Sequence, residues 1–379
     1  MPTFSIPFNK PYLSGAEINS IQQALTQESL HGNGPFTKNC HQELEKKIGC
    51  KKALLTNSCT AALEMSALLT HIQPGDEIIM PSYTFVSTAN AFVLRGGVPV
   101  FVDIRADTFN LDESKIETAI TPKTKAIVCV HYAGVSCEMD TILAIAEKHN
   151  LTVIEDAAQG VEAFYKNRPL GSIGHLAAIS FHGTKNIICG EGGSLFVNDD
   201  RFIERAEIIW EKGTNRKKFL LGEVDKYSWV DIGSSYLPSE ITAAFLLAQL
   251  RSTPEITRKR LQIWQTYHQS LKTLEQQEKL RRPIVPADCQ HNAHLYYILL
   301  PNADIRNKTM ASLKSQGIQS VTHYVPLHDS IAGQKFARTQ GTLTMTQQIA
   351  DRILRLPLYP ALTHTQIEYI IDTLGKSLL

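Results

Sequence analysis

The chain has 379 residues, and its 38 lysine and arginine residues against 37 aspartate and glutamate residues give a formal net charge of +1. This balance provides no broad field for binding nucleic acid or an anionic membrane, and the 43% apolar content excludes a disordered or fibrous chain. We expect no secretory signal and no membrane span, because no apolar run is long enough for either. The seven cysteines form no CxxC pair, which favours reduced thiols in a cytoplasmic protein over disulfides or structural zinc.

Short apolar segments alternate with amphipathic segments through the first half of the chain. The spacing of Ser14 and Glu17 predicts a capping box ahead of a helix over residues 18–26. The βαβ spacing that follows predicts a mostly parallel sheet that is buried on both faces. The predicted strands are residues 53–55, 77–80, 98–102, 126–130, 152–154, 177–181 and 194–197. The predicted helices between them are residues 60–70, 85–94, 112–120 and 138–149.

The pattern changes after residue 197, where two long helical patterns follow at 239–251 and 257–274. The tail has strand patterns of its own at 296–300 and 319–323. We therefore expect an α/β architecture with a large domain over 1–250, built on a seven-stranded sheet, and a smaller α+β domain over 251–379. The N-terminal segment is expected to pack beside the smaller domain.

Two acids end the predicted strand in Val153-Ile154-Glu155-Asp156. Ligands of open α/β sheets bind beyond the carboxyl ends of the strands, so an ionised Asp156 could keep a heteroaromatic nitrogen protonated. The alternative is that Asp156 caps the turn that follows.

Lys185 follows another predicted buried strand, in the segment SFHGTKN. A lysine among small and polar neighbours can lose its proton and form an imine. The alternative is an ordinary exposed loop lysine. His182 could be catalytic or could only be hydrogen-bonded within the loop, and the glycines at 190–193 could let backbone approach a ligand.

Small hydroxyl residues join a strand to a helix start in the segment TNSCTAA, residues 56–62. The free N–H groups of that helix start suit a phosphate, unless Ser58 or Thr60 only caps the helix. Phe85 lies just past the next strand, where it could stack on a planar ring or join the core. Phosphate site, aromatic ring, acid and lysine together are what pyridoxal phosphate requires of a protein.

The chain resembles the sugar aminotransferases of the DegT/DnrJ/EryC1/StrS group over nearly its whole length. The resemblance is carried by PSYTFVSTANAFVLRGG (81–97), HYAGVSCEMDTI (131–142), EKGTNR (211–216), VDKYSWVDIGSSYL (224–237) and HYVPLH (323–328). It implies the aspartate aminotransferase-like fold type I, pyridoxal 5'-phosphate as cofactor and a homodimer with active sites at the interface. The implied reaction moves an amino group from L-glutamate to C4 of dTDP-4-keto-6-deoxyglucose, in the pathway to enterobacterial common antigen.

The resemblance also implies roles for individual residues of the motifs. Lys185 binds the cofactor covalently and then moves the proton, and Asp156 pairs with the ring nitrogen. Gln159 reaches the ring hydroxyl, and Phe85 stacks on the ring. The phosphate contacts are assigned to Ser180, Thr60 and the backbone around Cys59 and Ala61.

The nucleotide sugar is expected to bind residues on the same similar segments. The family often has an asparagine where this chain has Tyr236, and the loop from Lys185 to Glu191 is one residue shorter than the related pattern. No metal site is expected, since His323 and His328 have no third ligand nearby in the sequence. The expected nucleotide-sugar residues are Lys212, Asn215, Arg216, Tyr324 and His328.

Three alternatives to this reaction stay open. A sugar dehydratase of the same group would carry a histidine where this chain has Lys185, which argues against that activity. Another sugar aminotransferase could act at C3 or on a UDP- or GDP-linked sugar, because pocket shape decides the orientation of one hydroxyl. A non-catalytic ligand sensor on the same fold is disfavoured by the intact Lys185 and Asp156.

Overall fold

The computed structural model describes residues 4–28 and 30–378 of the chain. Its strands are β1 Lys52–Thr56, β2 Glu77–Pro81, β3 Val98–Val102, β4 Thr124–Val130, β5 Thr152–Asp156, β6 Phe164–Tyr165, β7 Arg168–Pro169, β8 Leu176–Ser180, β9 Gly193–Val197, β10 Cys289–Gln290, β11 Tyr296–Leu299, β12 Arg338–Thr339 and β13 Ile353–Leu356. Its α-helices are α1 Glu17–Leu25, α2 Pro35–Ile48, α3 Cys59–Leu69, α4 Val86–Val93, α5 Ile116–Ala119, α6 Met139–His149, α7 Asp200–Trp210, α8 Arg216–Leu220, α9 Glu240–Arg251, α10 Thr253–Ser270, α11 Lys272–Gln276, α12 Ala303–Ser315, α13 Ile331–Phe336, α14 Thr344–Arg352 and α15 His364–Ser377. Short 3₁₀ helices span Glu113–Lys115, Tyr132–Gly134 and Leu327–Asp329.

The main sheet has eight strands in the order β1-β9-β8-β5-β4-β2-β3-β12. Strands β8, β5, β4, β2, β3 and β12 run parallel, while β9 is antiparallel to both of its neighbours. All seven predicted strands lie in this sheet. The eighth strand, β12, was not predicted, because two residues are too few to show a period. It pairs with β3, and Arg338 also forms a salt bridge with Glu77 of β2 at 2.8 Å.

Both faces of the sheet are covered by apolar side chains, as the near-continuous hydrophobic strands predict. Ile78 and Ile79 are consecutive in β2, and both are 0% exposed. They belong to two different hydrophobic clusters, because successive side chains of a strand point to opposite faces. One cluster lies under α3 and α7, and the other includes residues of α5 and α6.

The start of α1 differs from the predicted capping box. The helix begins at Glu17, and its N-cap is Ala16 without a capping side chain. The Glu17 carboxylate accepts hydrogen bonds from Ser14 N and Ser14 Oγ at 2.8 Å each, so the Ser14 hydroxyl donates to the carboxylate instead of capping the helix. Gln249 of α9 also donates to Glu17 Oε1 at 2.6 Å, and this hydrogen bond holds the carboxylate against α9.

The C-terminal part of the chain pairs β11 with β13 in an antiparallel two-stranded sheet. The predicted strand at 319–323 is wrong as a strand, since Val321 forms only an isolated bridge with Arg355 of β13. Ile6 bonds this part through its backbone, donating to Gly317 O at 2.8 Å and accepting from Gln319 N at 2.9 Å. In the part of the chain that the structure describes, no helix combines the length and apolar character needed to cross a membrane.

Candidate active site

One cavity of about 470 Å³ lies at the carboxyl ends of the parallel strands. Val130 of β4, Asp156 of β5 and Ser180 of β8 line it, each at the end of its strand. Parallel strands end at the same edge of a sheet, so residues distant in sequence meet there. The C-terminal part closes the other side of the cavity with His323 and Arg355.

The two acids that end β5 have separate functions, because neighbouring side chains of a strand face opposite ways. Glu155 is fully buried and accepts hydrogen bonds from the backbone N–H groups of Ile173 and Gly174 at 2.7 and 2.6 Å. It also bonds His131 Nε2 at 2.9 Å, so it stabilises the fold. Asp156 is the acid that lines the cavity, with a hydrogen bond from Thr88 Oγ1 to its Oδ2 at 2.7 Å.

Lys185 lines the same cavity, in the connection between β8 and β9. The connection is closed by backbone bonds, including Gly183 N to Gly190 O and Cys189 N to Phe181 O at 2.8 Å each. The lysine is half-buried, and among the described residues its Nζ forms no salt bridge. Burial lowers the pKa of Lys185, although the nearby Asp156 partly opposes that change. The expectation of an exposed loop lysine therefore does not hold.

The start of α3 provides backbone donors at the cavity. Ser58 is the N-cap, and its Oγ accepts from Ala61 N at 3.1 Å. The N–H groups of Cys59 and Thr60 find no acceptor within the described chain and remain available to an anion. Thr60 Oγ1 lies 2.7 Å from Ser87 Oγ, and both hydroxyl groups line the cavity. Ala61 itself does not line the cavity, which corrects its predicted place in the phosphate site.

Gly193 lets β9 approach this helix start closely. A Cβ at Gly193 would lie 2.4 Å from Cys59 N and 2.5 Å from Ser58 C, which no side chain can occupy. Close packing of β9 on the start of α3 therefore requires glycine at position 193. Burial, with Asp156 nearby, raises the pKa of Cys59 well above its usual value, so its thiol is protonated.

The predicted ring-binding residues Phe85 and Gln159 both line the cavity. Phe85 is 58% exposed, so its ring faces the open space and not the core. Gln159 is held in place, since its Oε1 accepts from Ala133 N at 2.7 Å and its Nε2 donates to the Tyr324 hydroxyl at 3.1 Å. The Tyr324 hydroxyl accepts that bond, so its own proton is free to donate to another group.

The side of the cavity formed by the C-terminal part is rich in positive and neutral nitrogen groups. Arg355 Nε is buried and forms no hydrogen bond with any residue that the structure describes. Arg260 is used internally, donating to the carbonyl oxygens of Ala293 and His294 at 3.0 and 2.6 Å. Burial, with Lys185 close by, holds the pKa of His294 well below its usual range, so this imidazole is neutral.

His182 and Ser180 lie on the rim formed by the β8–β9 connection. Ser180 is almost fully buried, and its Oγ accepts from His182 N at 3.4 Å. His182 Nδ1 lies 2.8 Å from Thr184 Oγ1, and its Nε2 lies 3.5 Å from Glu191 Oε1. The imidazole is thus bonded within its own loop while it borders the cavity.

The expected nucleotide-sugar residues do not meet at one place in this chain. Only Tyr324 lines the Lys185 cavity. Lys212 and Arg216 line a second, more open cavity of about 420 Å³ with His31 and Ser239.

Asn215 and His328 are engaged elsewhere. Asn215 Oδ1 accepts from Ser228 N at 2.7 Å and holds the loop that follows α8. His328 Nδ1 lies 2.7 Å from Ser82 Oγ, outside the residues that line either cavity. Tyr236 is 7% exposed and packs in the core, where burial raises its pKa to about 12.

Several cavity residues were not identified from the sequence. Arg355 and Arg260 lie on elements of the C-terminal part, and their segments show no motif of their own. His294 and Phe8 likewise come from distant positions. For Thr88, the sequence offered one signal, because this residue lies in the segment 81–90, which is rich in aromatic residues and threonine.

The residues around the cavity fit pyridoxal phosphate. A carboxylate suits the ring nitrogen, an amine of lowered pKa suits the aldehyde carbon, and free N–H groups at a helix start suit the phosphate. Asp156, Lys185 and the Cys59–Thr60 backbone provide these groups at one cavity.

Comparison with known proteins identifies the family of this chain. The model of the DegT/DnrJ/EryC1/StrS aminotransferase family matches residues 11–375. The spore coat polysaccharide biosynthesis protein SpsC of Bacillus subtilis is 34% identical over 382 aligned residues, covering 97% of this chain and 95% of SpsC.

Solved structures extend the similarity. Spr1654 of Streptococcus pneumoniae, a sugar aminotransferase solved in PLP and PMP forms, is 27% identical to this chain. Its PMP form has a TM-score of 0.91, and the match covers 99% of this chain and 98% of the Spr1654 chain. PseC of Helicobacter pylori, an aminotransferase involved in the biosynthesis of pseudoaminic acid, is 26% identical with a TM-score of 0.90 and covers 99% of both chains. The chain therefore belongs to the DegT/DnrJ/EryC1/StrS aminotransferase family, with the fold type I architecture and pyridoxal phosphate as its cofactor.

Proposed function

We propose that this aminotransferase moves an amino group from L-glutamate to C4 of dTDP-4-keto-6-deoxyglucose, giving dTDP-4-amino-4,6-dideoxygalactose. The observation that carries the proposal is the meeting of Lys185, Asp156 and Arg355 at one cavity, where Arg355 Nε has no hydrogen-bond partner among the described residues. The first two suit amino-group chemistry, and the third suits a substrate that carries a carboxylate.

The cofactor would be held by residues from four elements. Asp156 would bond the ring nitrogen, and Phe85 would cover one face of the ring. Ser180, Thr60 and the N–H group of Cys59 would hold the phosphate. Bound pyridoxal phosphate would supply the electron-withdrawing ring that stabilises negative charge at the substrate carbon.

Lys185 moves the proton in this proposal. Burial favours the neutral amine, so Lys185 Nζ can accept the proton from Cα of the amino donor. The same atom then returns a proton to the sugar carbon that receives the amino group. Asp156 would bond the ring nitrogen of the cofactor in both half-reactions and stabilise a positive charge there.

Arg355 binds the carboxylate of the amino donor. Its guanidinium lines the cavity, and no described carboxylate forms a salt bridge with it. An unpaired arginine at a half-buried site offers a planar pair of donors that matches a carboxylate. The neutral His294 and His323 beside it add hydrogen-bonding nitrogens without adding charge.

The choice of sugar is supported by the segments around the cavity and by the relatives. The segment 81–97 and the HYVPLH segment, which resemble the enzymes that form this amino sugar, both contribute to the cavity through Phe85 and Tyr324. SpsC is named for spore coat polysaccharide biosynthesis and PseC for the biosynthesis of pseudoaminic acid, and the name of SpsC supports a sugar destined for a polysaccharide.

A homodimer accounts for the residues that lie away from the Lys185 cavity. The segment after α8 exposes many apolar side chains, and Trp229 is 81% exposed. Lys212 and Arg216 lie beside this segment at the second cavity. We propose that the segment packs on a second copy and that Lys212, Asn215 and Arg216 approach the nucleotide in the partner's cavity.

The first test is the absorbance spectrum of the purified holoenzyme. L-glutamate should bleach the visible band of the bound cofactor, and dTDP-4-keto-6-deoxyglucose should restore it. Bleaching without restoration would exclude this sugar, and dTDP-linked 3-keto and UDP- or GDP-linked sugars would then be tried in turn. No bleaching with any amino donor would favour a ligand sensor.

A variant separates chemistry from binding. Lys185→Ala should still bind the cofactor and should lose turnover entirely. Full turnover by this variant would contradict the proposed role of Lys185. Sedimentation of active protein as a monomer alone would contradict the proposed dimer.

A further inference from the structure

Two buried hydroxyl groups form a chain that ends on the Asp156 carboxylate. Thr88 Oγ1 donates to Asp156 Oδ2 at 2.7 Å, and Thr84 Oγ1 lies 2.7 Å from Thr88 Oγ1. A hydroxyl has one proton, and the Thr88 proton is used on Asp156, so Thr84 is the donor of the second bond. Thr84 and Thr88 are 2% and 0% exposed, which keeps water from competing for these bonds.

The second carboxylate oxygen also has a fixed donor. Asp156 Oδ1 accepts from Ala158 N at 3.2 Å. Hydrogen bonds to a carboxylate favour its charged form, and bonds to both oxygens also fix the plane of the group. Asp156 is 6% exposed, so without these donors its charge would be poorly solvated.

We propose that Thr88 is a positioning residue for Asp156 and that Thr84 orients Thr88, so that the two hydroxyls hold the carboxylate directed at the cavity. The inference rests on the proposed function, in which Asp156 bonds the ring nitrogen. The inference gives Thr84, just before α4, and Thr88, in the first turn of α4, a role in the reaction. Neither side chain carries out the proton transfer itself.

The groups that face Asp156 allow a clean test. Lys185 comes from the β8–β9 connection, Cys59 from the start of α3 and Tyr324 from the C-terminal part, and each is close enough to interact with the Asp156 charge. Thr88→Val removes a hydroxyl and leaves these three groups in place. A change in cofactor affinity in this variant therefore reports the lost hydrogen bond.

The experiment compares wild type, Thr88→Val and Thr88→Ser as holoenzymes. Cofactor affinity is measured by absorbance titration, and kcat/KM is measured for the half-reaction with L-glutamate. We expect Thr88→Val to weaken cofactor binding by about tenfold or more, the scale of one hydrogen bond to a charged group. Its kcat/KM should also fall, because Asp156 is no longer held in its direction toward the cavity. Thr88→Ser keeps the hydroxyl and should stay within about threefold of wild type on the same scale.

Thr309→Val is the matched control. Thr309 is also fully buried, but its Oγ1 has no hydrogen-bond partner in the described chain, and it does not line the cavity. This variant should change neither the cofactor affinity nor kcat/KM.

An unchanged cofactor affinity and kcat/KM in Thr88→Val would overturn the proposal. If Thr88→Val fails to fold, Thr84→Val decides, because it should shift both measurements in the same direction by a smaller amount, and no shift would overturn the proposal. Wild type that turns over no keto sugar would refute the proposed function, while the cofactor titration would still decide the role of Thr88.

Discussion

Arg355 lies with its guanidinium carbon 4.6 Å from the centre of the Phe8 ring. The aromatic face attracts a cation without neutralising it, so Phe8 holds Arg355 while leaving its hydrogen-bond donors available. The N-terminal segment and β13 thereby form one wall of the cavity together.

Replacing Arg355 should affect the amino donor selectively. We expect Arg355→Gln to raise KM for L-glutamate by about 10- to 100-fold, since a charge-assisted bond to a carboxylate is lost. Arg355→Lys should recover part of this loss, because an ammonium keeps the charge without the planar pair of donors. Steady-state kinetics with varied glutamate provide the measurement. Arg352→Gln, at the neighbouring end of α14, is the control and should leave KM unchanged, whereas an unchanged KM in Arg355→Gln would contradict carboxylate binding by Arg355.

Phe8 should contribute through Arg355 alone. Phe8→Leu is expected to raise KM for L-glutamate about two- to fivefold, the scale of a cation–π contact near the surface. Phe4→Leu is the matched control, because the Phe4 ring packs on Tyr369 at 5.2 Å and not on a cavity cation. In a double variant with Arg355→Gln, the Phe8 substitution should have no additional effect. Additive losses in that double variant would show that Phe8 acts by another route.

Lys185 should make the stability of the cofactor-free protein depend on pH. Burial lowers its pKa in the folded state, so the unfolded chain binds the proton more tightly and the lysine destabilises the fold at low pH. Lys185→Met should therefore be more stable than wild type at pH 6. This advantage should shrink as the pH rises through the lowered pKa and vanish above the unfolded value of about 10.4.

The free energy of unfolding in urea at several pH values provides this measurement. Lys308→Met is the control, because Lys308 is exposed on α12 and its replacement should give no pH-dependent difference. A pH-independent effect of Lys185→Met would contradict the buried amine.

Gly193 should tolerate no side chain. Gly193→Ala places a Cβ 2.4 Å from Cys59 N, so the start of α3 must move away from β9. Because the N–H groups of this helix start are the proposed phosphate donors, cofactor affinity should fall by about tenfold or more. Absorbance titration of the refolded or freshly purified apoprotein gives the affinity. Gly375→Ala in α15 has open space around its Cβ and should bind the cofactor like wild type; equal affinities in the two variants would argue against a phosphate site at α3.

The sequence alone determined the local features of this protein. Hydrophobic periodicity predicted the seven strands of the main sheet, because that signal lies within five to seven consecutive residues. The same locality made Lys185 and Asp156 recognisable, since Asp156 ends a buried strand and Lys185 lies in the connection after another. The capping box at Ser14 failed because the Ser14 hydroxyl donates to the Glu17 carboxylate and does not accept from the helix.

Tertiary structure decided which residues share the cavity. Glu155 and Asp156 are adjacent acids that the sequence does not distinguish. Only the packing of β5 directs Glu155 into the protein interior and Asp156 toward the cavity. Arg355, Thr88 and Phe8 reach the site from segments that no periodic pattern connects. Their contribution depends on contacts between distant parts of the chain, which the order of residues along one segment does not specify.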